Sequence, residues 1–311
     1  MIIGIGQTAN TVCGLNFGTH SDVFHCDDVT GTAIFEMAFM DKEIYVVRTK
    51  DTQELSKLNV VIDIGGGELD HHMAGFNVCR ATGEKYASAG LVWKKFGELA
   101  IRNVMNENKM DISEEEISIV KEQIDREIIV FVDMEDNGEK ACNHVLSFVT
   151  QFLPTWLETP DYDSAFLRSE KLVYDILKEY IKNKITQFPT KKELQKRYSN
   201  IEEGILEIPA QRMKWLEEIL SYNERHNNAV KFVIFPYPAG GWAAHCVPPS
   251  MKDKFKQIVP FPKEWAGGNK STLPVISGIP DATFCHNGRF FAKAESRESV
   301  VKMCRIAMNL I

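Results

Sequence analysis

The sequence predicts an α/β protein: a largely parallel sheet flanked by helices, with a smaller α/β domain at the C-terminal end. Three observations carry this reading. Short apolar runs alternate with longer stretches of helical periodicity, the pattern of the strand–helix units that build parallel sheets. The runs end in histidines and aspartates, and open α/β sheets place their ligand groups at strand ends. The 311 residues are enough for two domains, each with its own core.

Taken in order, residues 13–17 read as a short buried strand ending at Gly18-Thr19-His20. Residues 28–40 carry apolar positions at Val29, Ala33, Phe35, Met37 and Ala38 and read as a helix, and residues 44–47 read as a strand. The continuous run at 60–64 is the strongest strand signal, closed by Gly65-Gly66-Gly67. Residues 88–105 form a helix. A further helix opens at Ser113 with Glu116 three residues on, a capping box, and keeps helical spacing through Ile117, Val120, Ile124 and Ile128. Residues 163–226 look helical and charged, 229–235 is a strong strand, and the Pro/Gly-rich tail is looped. This divides the chain into a domain that carries the chemistry (1–160), a helical connector (161–226) and a substrate-binding domain (227–311).

Composition excludes several classes. No run of about 18 apolar residues is present, so no membrane helix is expected. The N-terminus lacks a basic region and an Arg-rich stretch, which argues against a leader peptide without ruling against mitochondrial import. Seven cysteines form no CxxC pair, so reduced thiols in cytosol or nucleus are expected, and a four-cysteine zinc site is unsupported. Charge is uneven. Residues 1–150 hold 13 Lys+Arg against 25 Asp+Glu, and the remainder 23 against 18. Bound divalent cations would offset part of the acidic excess, and the basic part suits an anionic substrate; solvated helix faces such as Glu114 to Glu116 explain the same imbalance equally well.

Two polar clusters stand out. In THSDVFHCDD, His20 and His25 are five apart with Asp27 two further on; imidazole with carboxylate suits Mn²⁺, Fe²⁺ or Zn²⁺ better than Ca²⁺. In VVIDIGGGELDHH, Asp63 ends the apolar run, where one carboxylate can bridge two cations. His71 and His72 follow, with Asp70 placed to orient its neighbour. A two-metal site needs a further ligand, and Asp133 and Asp136 in VFVDMEDNGE are the candidates, although Asp-Asn-Gly is also plain turn chemistry.

GTHSDVFHCDD, LDHH, SAGLVWKKFG and VDMEDNG, with the tail FPKEWAGGNKSTLPVISGIPDATFCHNGRFFAKAESRESV, resemble the melanocyte-proliferating-gene (Myg) family of the DHH phosphoesterase superfamily. The resemblance implies a DHH-like α/β domain and a metal-dependent hydrolase, with 3′-to-5′ RNA exonuclease activity in the family's eukaryotic members. By motif it implies His20, His25, Asp27, Asp63 and His71 as ligands of two divalent ions, manganese first, with magnesium, iron or zinc as alternatives. It makes Asp63 the bridging carboxylate and gives the last ligand position to Asp133 or Asp136, leaning to Asp133. His72 faces substrate as a catalytic group, and His286, with Arg289 beside it, contacts phosphate. Two departures bear on substrate: only residues 64–69 separate Asp63 from Asp70-His71-His72, and the family's Phe-x-x-Arg is absent from residues 255–258.

The expected substrate is therefore RNA or a short oligonucleotide, with no membrane partner and room for a homo-oligomer. Aromatics Trp242, Phe284, Phe290 and Phe291 are placed to stack bases or to fill a core. The alternatives are a small-molecule phosphohydrolase of pyrophosphatase type and a non-catalytic, metal-stabilised binding protein.

Overall fold

A computed structural model describes residues 1–12, 14–139 and 146–309. The chain divides into two compact units, Met1–Thr186 and Gln187–Ile311.

The first unit is built on four parallel strands in the order β1-β3-β2-β4: β1 (Ile2–Gly6), β2 (Leu15–Thr19), β3 (Ile44–Arg48) and β4 (Val60–Val61). β1 is not foreseen in the sequence, because its two glycines weaken the strand signal. β2 starts two residues later than expected, and Cys13 lies outside the described residues. Helix α1 (Cys26–Ala38) is buried at all thirteen positions and packs against α3 (Ser88–Glu107) and α6 (Tyr162–Ile185). It starts earlier than predicted because Asp27 and Asp28 occupy its first turn, where carboxylates offset the positive end of the helix dipole. The core around it includes Phe24, Val29, Ala33, Val46, Ala89, Val132, Phe166 and Val173. A one-turn helix, α2 (Thr52–Leu55), leads into β4.

The run at 60–64 pairs as a strand only at Val60 and Val61. Ile62 extends the ladder by one bond, its amide donating to Gly18 O at 2.9 Å. Asp63 then takes φ 60°, and Gly65 and Gly66 also have positive φ, so the extended chain ends there.

The helix opening at Ser113 has the expected capping box: α4 (Glu114–Ile124) runs through a π-helical turn, Asp125–Ile129, into α5 (Val130–Asp136). Its buried stripe is Ile117, Val120, Ile124 and then Ile129, so the expected position at Ile128 is displaced by one.

The expected connector does not form a separate piece. α6 buries Ala165, Phe166 and Val173 in the first core, and fully buried Arg48 reaches Asp163 on it at 3.0 Å and stacks 4.6 Å over Phe166. The rest, including a strand, belongs to the second unit.

That unit has a five-stranded mixed sheet, order β5-β6-β7-β9-β8: β5 (Ile205–Glu207), β6 (Phe232–Pro236), β7 (Trp242–Cys246), β8 (Ala282–Cys285) and β9 (Phe291–Ala294). β5 and β6 are parallel and the other pairs antiparallel. The period-2 alternation of strands splits its apolar residues between two cores. Ile205, Phe232, Ile234 and Ala244 meet α9 (Leu273–Ser277) and α10 (Arg297–Ala307). Leu206, Val233, Phe235 and Ala243 meet α7 (Gln187–Arg197) and α8 (Leu216–Arg225). The tail expected as looped thus carries three strands and two helices. Among the described residues no helix is long and apolar enough to cross a membrane, and the five described cysteines are all free.

Candidate metal centre

The polar cluster of the first unit gathers at the C-terminal ends of β2 and β4. His20 follows β2, and Asp27 and Asp28 stand in the first turn of α1 behind His25. Asp28 reaches back to accept from the His25 amide at 2.8 Å, so the helix start and the His25 position are fixed together. Asp63 ends β4, and Asp70 shapes the loop beyond it. The Asp70 carboxylate accepts from the amides of Gly66 (2.8 Å) and His72 (2.9 Å) and contacts His72 Nδ1 at 3.3 Å.

Asp63 sits between two sets of imidazoles. Its Oδ2 lies 3.3 Å from His20 Nε2, and its Oδ1 lies 3.4 Å from His71 Nδ1 and 3.2 Å from His72 Nδ1. His20 Nε2 is also 3.4 Å from Asp28, and the His20 and His25 rings are 5.6 Å apart. On the far side His71 Nε2 meets Asp136 at 2.9 Å. Helix α3 supports the cluster from below: the amides of Ser88 and Ala89 donate to Asp27 at 3.0 and 2.7 Å, and the Gly90 amide donates to Asp133 at 2.9 Å. Position 90 must be glycine, because a Cβ there would collide with the Asp133 carboxylate.

Burial dominates the electrostatics. Asp27 and Asp28 are wholly inaccessible and Asp63 is 4% exposed. Burial, then the charges of Asp63, Asp136 and Asp133, push Asp27 well above the usual carboxylate range. Burial raises Asp28 to about 7 even with His20 beside it. His20 goes up to about 9: burial opposes its charge, but the hydrogen bond to Asp63 and the charge of Asp28 outweigh it. His71 is raised likewise, burial being overcome by Asp136 and Asp63, while Asp136 is lowered because His71 outweighs its own burial.

Several buried carboxylates without enough cations describe a site that divalent metal suits. Asp28 Oδ2 and Asp63 Oδ2 are buried and share only the long contacts to His20 Nε2, at 3.4 and 3.3 Å, an under-satisfied state that a metal ion would relieve. Three donor sets each gather within 4.8 Å: His20, His25 and Asp63; Asp63, His71 and His72; and Asp27, His71 and Asp136. Mixed imidazole and carboxylate donors favour Mn²⁺, Fe²⁺ or Zn²⁺.

The geometry brings His20, His25, Asp27, Asp63, His71 and His72, singled out in the sequence, into overlapping groups of donors. The two candidates for the last position are held differently. Asp136 meets His71, whereas Asp133 is held by Arg80 Nη2 at 2.7 Å and by the Gly90 amide. Arg80 in turn makes a two-pronged pair with Asp125, both contacts 2.7 Å. Asp133 and Asp136 lie about 60° apart around the helix, enough to separate a structural partner from a cluster member. Asp28 and Ser88 were missed. Asp28 was visible as the second aspartate of a helix-opening pair, but Ser88 had no signal beyond starting a helix. His286 and Arg289 belong to the second unit. There His286 is exposed, its Nδ1 accepting from the Gly288 amide at 2.9 Å and its ring 4.3 Å from that of Phe290. Arg289 has φ 57° and donates to Phe261 O at 3.3 Å. Of Trp242, Phe284, Phe290 and Phe291, Phe284 is exposed, at 37%, and the other three are half-buried.

Known proteins are similar along nearly the whole chain. The rat "MYG1 exonuclease" is 26% identical over 96% of this chain and 86% of its own length. The "MYG1 protein" of Chlamydia trachomatis is 28% identical over 94% of this chain and 95% of its own length. Among solved structures, exonuclease RecJ bound to manganese aligns at a TM-score of 0.28 and 12% identity, covering 76% of this chain and 79% of that one. The model of MYG1_exonuc, an uncharacterised protein family (UPF0160), matches residues 16–308 and so takes in β2 to β4 of the parallel sheet, the histidine–aspartate cluster and nearly all of the second unit; the chain belongs to that family.

Proposed function

We propose that this protein is a metal-dependent phosphodiester hydrolase that removes nucleotides from the 3′ end of RNA or short oligonucleotides, using two divalent cations. The family relationship supports the exonuclease part, since its mammalian relatives are named for that activity. The observation that carries the two-cation part is that the six residues named below fall into two donor sets, His20, His25 and Asp63 in one and Asp27, His71 and Asp136 in the other. Asp63, with His20 on one side at 3.3 Å and His71 on the other at 3.4 Å, would lie between them.

When bound, two such cations supply Lewis acidity, acidifying the attacking water and stabilising charge on the phosphate. His20, His25, Asp27, Asp63, His71 and Asp136 would hold them. His72 has a different place: its side chain is 60% exposed, while its Nδ1 is anchored against Asp70 and Asp63. That leaves Nε2 directed away from the carboxylates, where it would meet a substrate oxygen. Exposed His286, with Arg289 near it in sequence, would contact phosphate from the second unit. Asp27 and Asp28 are buried among the first unit's core residues and keep bulk water from the deep side of the cluster.

The test is a time course with Mn²⁺ on single-stranded RNA labelled at its 5′ end. A descending ladder of labelled products is expected. Intact RNA from protein shown to hold metal would overturn the exonuclease reading, and rapid hydrolysis of pyrophosphate by the same sample would replace it.

A further inference from the structure

Ser88 opens α3 and is fully buried. Its amide donates to Asp27 at 3.0 Å, and its hydroxyl lies 3.0 Å from His71 Nδ1 and 3.3 Å from Asp63 Oδ1. One residue therefore touches three side chains of the cluster, drawn from α1, the end of β4 and the loop after it.

The hydroxyl has a single proton, which decides what each neighbour does. The hydroxyl donates it to Asp63 Oδ1. The hydroxyl oxygen then accepts, and the group facing it at 3.0 Å is the ring nitrogen of His71, which must carry its own hydrogen at Nδ1. The ring's other nitrogen, Nε2, points to Asp136 at 2.9 Å, within the donor set of Asp27, His71 and Asp136.

We propose that Ser88 is a positioning residue that holds the His71 ring with Nδ1 protonated and thereby commits Nε2 to the cation shared with Asp27 and Asp136. This rests on the metal-site reading above and sharpens it. His71 approaches Asp63 through Nδ1, at 3.4 Å, so a ring held by Ser88 is withdrawn from the set containing Asp63 and His72. Histidine ligands are commonly fixed this way, by a partner on the nitrogen that does not bind metal.

Two measurements test it. Calorimetric titration with Mn²⁺ compares the wild-type protein with Ser88→Ala, which keeps the amide that holds Asp27 and deletes only the hydroxyl. The variant should bind about 10- to 100-fold more weakly, while the circular dichroism of the metal-free protein is unchanged. Nitrogen-15 spectra of the wild-type protein loaded with Zn²⁺ should show His71 with a protonated Nδ1 and a metallated Nε2. Equal affinity in the two proteins, or metal on Nδ1, would overturn the role of Ser88. Failure of the wild-type protein to bind either ion would overturn the metal site itself, a distinguishable result.

Discussion

Asp63 is a non-glycine residue at φ 60°, a conformation that costs about 1 kcal/mol or more and persists where the surroundings impose it. The amide of Asp63 is held by Leu69 O at 3.2 Å, and its carboxylate by imidazoles on both sides. Asparagine tolerates this backbone better than most residues, so Asp63→Asn removes charge with little added strain. Turnover should disappear while the unfolding midpoint of the metal-free protein stays within a few degrees; near wild-type turnover would refute the bridging assignment. The neighbouring histidine sets a pH dependence. His20 is raised to about 9 from its ordinary 6.5, so its proton favours the folded state. That contribution is complete below pH 6.5 and is lost as pH climbs through 9. Asp28, raised to about 7, acts in the same direction between pH 4 and 7. Asp136 is lowered, and its contribution is lost only as pH falls into the acid range, outside this window. Metal-free protein should therefore unfold at lower temperature at pH 9 than at pH 6. Saturating Mn²⁺, which binds deprotonated ligands, should flatten the slope. A midpoint that rises with pH in metal-free protein would contradict this.

The π-turn at Asp125–Ile129 explains both what the sequence revealed of this helix and what it hid. The capping box at Ser113 and the stripe through Ile117, Val120 and Ile124 were legible because they follow the regular helical period. The extra residue of the π-turn was not, since nothing in the composition of residues 125–129 marks it. It moves the buried stripe from Ile128 to Ile129, and with it the face that carries Asp133 and Asp136. Arg80 was illegible for a different reason: its partners Asp125 and Asp133 lie 45 and 53 positions away in the chain. Its side chain is 6% exposed and stacks on Tyr86 at 4.2 Å. Arg80→Ala would leave Asp133 buried and short of its countercharge, which should cost about 3–5 kcal/mol in denaturant unfolding. A loss under about 1 kcal/mol would mean the pair is dispensable. The π-turn makes a sharper prediction. Deleting exposed Arg126 should convert it to regular α-helix and leave Asp136 facing His71, so Mn²⁺ affinity should hold within about threefold. Deleting exposed Glu135 instead turns Asp136 by about 100°, and affinity should fall tenfold or more. Equal losses in the two deletions would show that the turn does not set the register.

The boundary at Thr186 sharpens a charge asymmetry already visible in the sequence. The first unit holds 18 Lys+Arg against 31 Asp+Glu, the second 18 against 12. Much of the first unit's excess is spent on the buried cluster, where cations would balance it. The second unit's excess lies partly on its surface, where Lys252, Lys254 and His286 are exposed and would meet an anion. Legibility at this scale was uneven: the cluster could be read because strand ends and their ligands are adjacent in sequence, whereas the domain boundary falls between two helices, α6 and α7, with no Pro/Gly-rich linker to mark it. If the second unit grips the phosphate backbone, ions compete with that grip and not with the chemistry. KM for single-stranded RNA should then rise with salt, log KM against log salt having a slope of about 0.7 for each phosphate contacted, while kcat stays flat. His286→Ala should raise KM with kcat preserved, since it removes a binding contact outside the reacting atoms. A small phosphodiester with no chain to grip should show neither effect. Salt-independent KM for RNA, or a collapse of kcat in His286→Ala, would remove the second unit from strand binding and leave recognition to the first.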